Sequence, residues 1–150
     1  MVNREKRDLA RQLIEKFLAG EITNDDFVNN YPCREKEDRA VVAIYERLWG
    51  YWDDRHTHKL MGKHELDPEA RELFERCIAF LNSDLEYEWP TIEWWSFSRA
   101  ILRKIGLRKR ADEKADRYIE EMRGLGKWEL WPFIREEDLA KESVRSHKVS

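Results

Sequence analysis

Six large apolar residues, Val41, Ile44, Tyr45, Leu48, Trp49 and Trp52, recur at i, i+3, i+4, i+7, i+8 and i+11. That is the repeat of one face of an α-helix, and it predicts a helix over about Glu37–Trp52 with a continuous buried stripe. The same period returns along the chain. Leu9, Leu13, Ile14, Phe17 and Leu18 predict a helix over about 4–19, closed by Gly20 at the left-handed capping position. Ala70, Leu73, Phe74, Cys77, Ile78 and Leu81 predict another, opened by Asp67 as N-cap, Pro68 at the first helical position and Glu69 near the positive dipole end, and stopped at Asn82–Ser83.

Between them, Thr23 and Asp26 form an acidic variant of the capping box, with Ile22 and Phe27 as its hydrophobic staple, so a short helix starts there and Pro32 ends it. Trp94 or Trp95, Ser98, Ile101, Leu102 and Ile105 mark a further helix ending at Gly106. Ala111, Ala115, Tyr118, Ile119 and Met122 mark one ending at Gly124. A short last helix is expected over Glu136–Glu142, and 143–150 reads as a loose polar tail.

Two stretches break this period. Asp84, Glu86 and Glu88 alternate with Leu85, Tyr87 and Trp89 before Pro90, a period of two, and Lys127–Pro132 behaves similarly and also ends in Trp-Pro. They either pair as one short β ribbon, about 85–89 with 127–131, or lie as ordered loops. Loops elsewhere are short and no Gly/Ser-rich or Pro-rich linker divides the chain. The expected fold is mainly α: a single-domain bundle of five to seven helices over 1–150, with at most that one ribbon. Charged residues make up 39% of the chain, which with few aromatics would indicate disorder, but aromatics reach 12% and include seven tryptophans. That combination indicates a packed helical domain under a polar shell.

Several classes are excluded or disfavoured. No apolar run approaches the roughly 18 residues of a membrane span. The basic start lacks an apolar stretch after it, so no signal peptide is expected. Cys33 and Cys77 do not make a disulfide framework, and a cytoplasmic protein with reduced thiols is the expectation. The formal charge of −3 argues against a dedicated nucleic-acid binder. Nucleophile elbows, phosphate-binding glycine loops and CxxC motifs are absent.

Three constellations remain. Asp53, Asp54, His56, His58 and His64 gather three of the four histidines near two carboxylates; imidazole and carboxylate are ordinary ligands of a divalent metal, while a solvated loop is the plain alternative. Asp84, Glu86 and Glu88, with Glu93 close behind, share one side of an extended segment. Such a row either blocks edge-to-edge pairing or docks a basic partner with aromatic anchors beside it. Arg99, Arg103, Lys104, Arg108, Lys109 and Arg110 form a basic run behind Trp94, Trp95 and Phe97, which complements a helix dipole or stacks and neutralises single-stranded nucleic acid. Trp89, Trp94, Trp95, Trp128 and Trp131 fall outside clear helical stripes, and the expectation is that they are held at the surface for a partner.

The run Phe17-Leu18-Ala19-Gly20-Glu21-Ile22, within 13–27, resembles the opening of small bacterial immunity proteins of the colicin D type. The resemblance covers 13–27, the end of the first helix, its turn and the start of the second. It implies a cytoplasmic protein that plugs the basic active site of a toxin nuclease with acidic and aromatic side chains, and it carries no contact residue over by position. A bacterial, non-enzymatic protein-binding domain is therefore the expected function. Its surface would comprise Asp84, Glu86, Tyr87, Glu88, Trp89, Glu93, Trp94, Trp128 and Trp131. The alternatives are a divalent-metal protein or enzyme using His56, His58 and His64 with Asp53, and a structural domain that self-associates into a homo-oligomer.

Overall fold

The computed structural model describes residues 1–33, 38–90, 117 and 120–148. The expected helices within 94–106 and most of 111–122 lie outside these residues, as do Glu93, Trp94, Trp95 and the basic run 99–110.

Five helices carry the described fold, which is mainly α: α1 (Arg4–Leu18), α2 (Asn24–Asn30), α3 (Arg39–Leu48), α4 (Pro68–Asn82) and α5 (Glu136–Lys148). Residues 120–125 are also helical. Local chemistry sets the ends. Asn3 caps α1 by accepting from the Lys6 N–H. Thr23 and Asp26 close both bonds of the capping box at α2, and Asp67 accepts from the Ala70 N–H ahead of Pro68 at α4. Gly20, at φ +71°, turns the chain out of α1, in a conformation that costs a residue with a Cβ roughly 1–2 kcal/mol.

The core is one cluster built on α1 packed against α4. Its buried α1 face is Arg7, Ala10, Leu13, Ile14 and Phe17, whereas Leu9, expected inside, is exposed. Phe17 and Phe27 stack at 4.9 Å, and Trp52 meets both edge-on.

The buried arginine organises the assembly. Arg7 donates to both Asp38 oxygens, at 2.7 and 3.3 Å, and to the carbonyls of Ser83 and Leu85. Asp38 also accepts from the Asn3 and Ala40 N–H groups, the latter as N-cap of α3. Arg4 donates to the carbonyls of Leu81 and Ser83, so two arginines of α1 satisfy the end of α4, where carbonyls lack helical partners.

Two expectations about elements are corrected, and the choice between ribbon and ordered loops is decided. The α3 helix stops at Leu48 and passes into a 3₁₀ turn at Trp49–Tyr51; the tighter winding takes Trp49 off the buried stripe and leaves it 42% exposed. The last helix continues past Glu142 to Lys148, through most of the expected tail. Leu139 packs on the core and Arg145 approaches Glu142 from the next turn. No strand forms among the described residues. Residues Trp128–Leu130 close into a 3₁₀ turn whose N–H groups are used locally, Trp131 to Trp128 and Phe133 to Leu130. With those donors spent and no N–H on Pro132, 127–132 has little left for a ladder.

Candidate acidic edge and histidine loop

The segment 84–90 leaves α4 extended because its first peptide groups are claimed from inside. Buried Ser83 donates through Oγ to the Phe80 carbonyl and accepts from the Leu85 N–H. Arg7 holds the Leu85 carbonyl and Arg39 holds that of Trp89. Period-two alternation then sends side chains to opposite faces. Tyr87 is 4% exposed and Trp89 0%, while Asp84, Glu86 and Glu88 all face solvent.

Side chains, not backbone ladders, bring the two Trp-Pro segments together. Trp89 Nε1 donates to the carbonyls of Pro132 and Phe133, at 3.1 and 3.3 Å. Trp131 Nε1 donates to the Tyr87 hydroxyl at 3.1 Å. Trp131, itself 1% exposed, meets Tyr87 edge-on at 6.5 Å, and Tyr87 meets Phe80 edge-on at 6.2 Å. Each indole N–H has an acceptor, which removes the polar penalty of burying tryptophan. The expectation that Tyr87, Trp89 and Trp131 stand at the surface is therefore corrected: they form the floor beneath the acidic row. Of the three tryptophans described in these segments, Trp128 alone reaches solvent, at 39%.

On the outer face the carboxylates have partial partners. Arg4 lies 3.2 Å from Asp84, the N-terminal amine 3.2 Å from Glu86 and Arg135 3.9 Å from Glu88. The three acidic side chains remain 78%, 63% and 51% exposed, so water screens these pairs and the charges stay accessible. Asp138, in the first turn of α5, flanks the same shallow groove as Glu86 and Glu88. The sequence reading missed it, because fifty positions separate it from Glu88; its position in an acidic first turn of a helix was the one signal present.

The histidine loop is arranged around a buried amide. Asn24, the first residue of α2, donates to the carbonyls of Asp53 and His56 and accepts from the His58 N–H. His56 Nδ1 lies 2.9 Å from Asp53 Oδ2. Hydrogen bonds from His56 and from the Arg55 N–H hold the Asp53 carboxyl below its usual range. His58 Nδ1 lies 2.7 Å from the His56 carbonyl, so that nitrogen carries the proton. The rings of His58 and His64 stack at 3.8 Å with 20° between planes. Partial desolvation, then the neighbouring His58 and Lys63, pull His64 below its ordinary value.

A metal lies in the plane of each imidazole it binds, about 2 Å from nitrogen. Two nearly parallel stacked rings share no such point, and His56 is turned to Asp53. Among the described residues, no three His, Cys, Asp or Glu side chains converge as a metal cage.

No protein-family model, curated protein or solved structure matches this chain.

Proposed function

We propose that this chain is a non-enzymatic protein-binding domain that offers Asp84, Glu86 and Glu88, with Asp138 beside them, to a basic partner protein. The observation that carries the reading is the two-sided construction of 84–90: carboxylates outward, Tyr87 and Trp89 locked inward by indole and arginine hydrogen bonds. A backbone held this way loses little freedom on binding. Exposed charges on a fixed edge chiefly steer association and select against acidic partners. The resemblance of 13–27 to colicin D-type immunity proteins suggests one such partner, the basic cleft of a toxin nuclease, and with it a cytoplasmic bacterial setting.

The test is affinity capture with the wild type and with the charge-neutral triple variant Asp84→Asn/Glu86→Gln/Glu88→Gln, both verified as folded by circular dichroism. A basic protein retained by the wild type and lost from the triple variant supports the proposal. Capture of the same proteins by both chains, or of none with a basic surface, overturns it. For a captured partner, Glu86→Lys/Glu88→Lys should slow association at least ~10-fold at low salt and leave dissociation nearly unchanged.

A further inference from the structure

A second feature, which shares none of the acidic side chains of that edge and meets its floor only at Trp131, lies between the end of α3, the start of α4 and the 128–131 turn. A cleft of about 220 Å³ opens there, lined by Arg47, Tyr51, Asp67, Arg76, Trp128 and Glu129 among others. From this geometry we propose that the cleft is a binding site for a small monocarboxylate with a flat apolar body, gripped by Arg47.

Arg47 is the anomaly that points to a ligand. Its Cζ lies 5.2 Å from the Trp128 ring centroid and 5.9 Å from that of Tyr51, so the guanidinium packs against two aromatic faces. Its Nε is shielded from water and has no acceptor. Arg11 shares an orphaned Nε but donates through Nη1 to Glu15, and Arg4, Arg7 and Arg76 also donate to carboxylates, whereas no described carboxylate or carbonyl accepts from Arg47. Stacked guanidinium groups keep their in-plane N–H edge for a partner, and the planar group that matches that edge with two parallel hydrogen bonds is a carboxylate.

The surroundings narrow the charge and the size. Arg76 lines the same cleft, but its Nε is taken by the Trp131 carbonyl and its Nη1 by Glu72. It therefore adds field and leaves the primary contact to Arg47. Asp67, Glu69 and Glu129 also line the cleft. Those carboxylates repel a phosphate dianion more than a single negative charge, and so select a monoanion. The volume is below the roughly 300–1,000 Å³ of pockets for drug-sized ligands, and Tyr51, Leu73 and Trp128 in the lining give apolar contact to a small flat body.

Benzoate is the probe, with inorganic phosphate as the competing anion. Proton–nitrogen spectra of the arginine side chains follow Arg47 directly, through its sheltered Nε–H. The expected result is a saturable shift of the Arg47 Nε–H signal with benzoate at a Kd of about 1 mM. Phosphate should bind at least ~10-fold more weakly, and Arg47→Lys should weaken benzoate ~10-fold by removing the bidentate edge. In Arg47→Gln, tryptophan fluorescence should show no saturable response to benzoate. The proposal is overturned if the wild type shows no saturable shift up to about 20 mM benzoate, if phosphate binds as tightly, or if the folded Arg47→Gln variant retains the fluorescence response. Should Arg47→Gln fail to fold, the wild-type titration with the two anions decides alone. The acidic edge is untouched by these measurements, so either proposal can fail without the other.

Discussion

Arg7 and Asp38 are 1% and 2% exposed in their side chains and carry bonds to three separate parts of the chain. Removing one partner leaves the other as an unpaired charge in the core, which costs about 3–5 kcal/mol. Asp38→Ala should therefore lower the free energy of urea unfolding by about that amount, with some further loss from the α3 cap. The double variant Arg7→Met/Asp38→Leu should recover part of it, since replacing both charges removes the stranded ion. A double variant no more stable than Asp38→Ala would show that the carbonyl bonds of Arg7, and not its ion pair, dominate. Cys77 occupies the same interior. Burial pushes its thiol well above the ordinary value, so it packs as an apolar residue and is a poor nucleophile.

At the scale of elements, the turn after α1 gives the sharpest expectation. Gly20 holds φ +71°, and a Cβ there would lie 2.9 Å from the Met61 side chain. Met61 is exposed and flexible enough to give way, so the backbone conformation sets the cost. Gly20→Ala should destabilise by about 1–2 kcal/mol in thermal or urea unfolding; an unchanged midpoint would mean that the turn relaxes to negative φ. Caps and turns of this kind were legible in the sequence because they involve residues one to four apart: Thr23 with Asp26, Asp67 with Pro68, Gly20 after Leu18. The site was legible in half. Alternation announced that Glu86 and Glu88 would part from Tyr87 and Trp89, but a period of two does not say which side meets water. That choice was made by carbonyls near Pro132, more than forty positions away. Arg47 escaped notice for the same reason: its significance depends on Trp128 and Arg76, on other elements. The early end of α3 and the long α5 reflect tertiary contacts outweighing local signals.

The molecule as a whole should be most stable between about pH 7 and pH 9. His64 titrates below its ordinary 6.5 in the folded state. Below that value the unfolded chain binds the extra proton first, so this contribution is complete above about 6.5 and is lost as pH falls through the folded value. Asp26 and Asp53, held below an ordinary 3.8, and Glu136, held below 4.5, add losses of the same sign at lower pH. At the alkaline end the sign reverses. Burial raises Tyr31 above 10.0 and Cys77 above 9.0, so their contributions are complete below those values and are lost as pH climbs through the folded ones. A melting-temperature series from about pH 4 to pH 11 should trace a dome with its acid shoulder starting near 6.5. A profile still flat at pH 5 would remove His64 from the account.

The route of Arg7 through the fold also dictates an order of events during synthesis. Its carboxylate acceptor lies 31 positions downstream and its carbonyl acceptors 76 and 78. As the nascent polypeptide leaves the ribosome, α1 emerges with a guanidinium whose first native acceptor, Asp38, follows 31 positions later and whose full set is complete only when α4 and the two residues beyond Ser83 have followed. The first of the described helices to be made is thus among the last to have all its bonds.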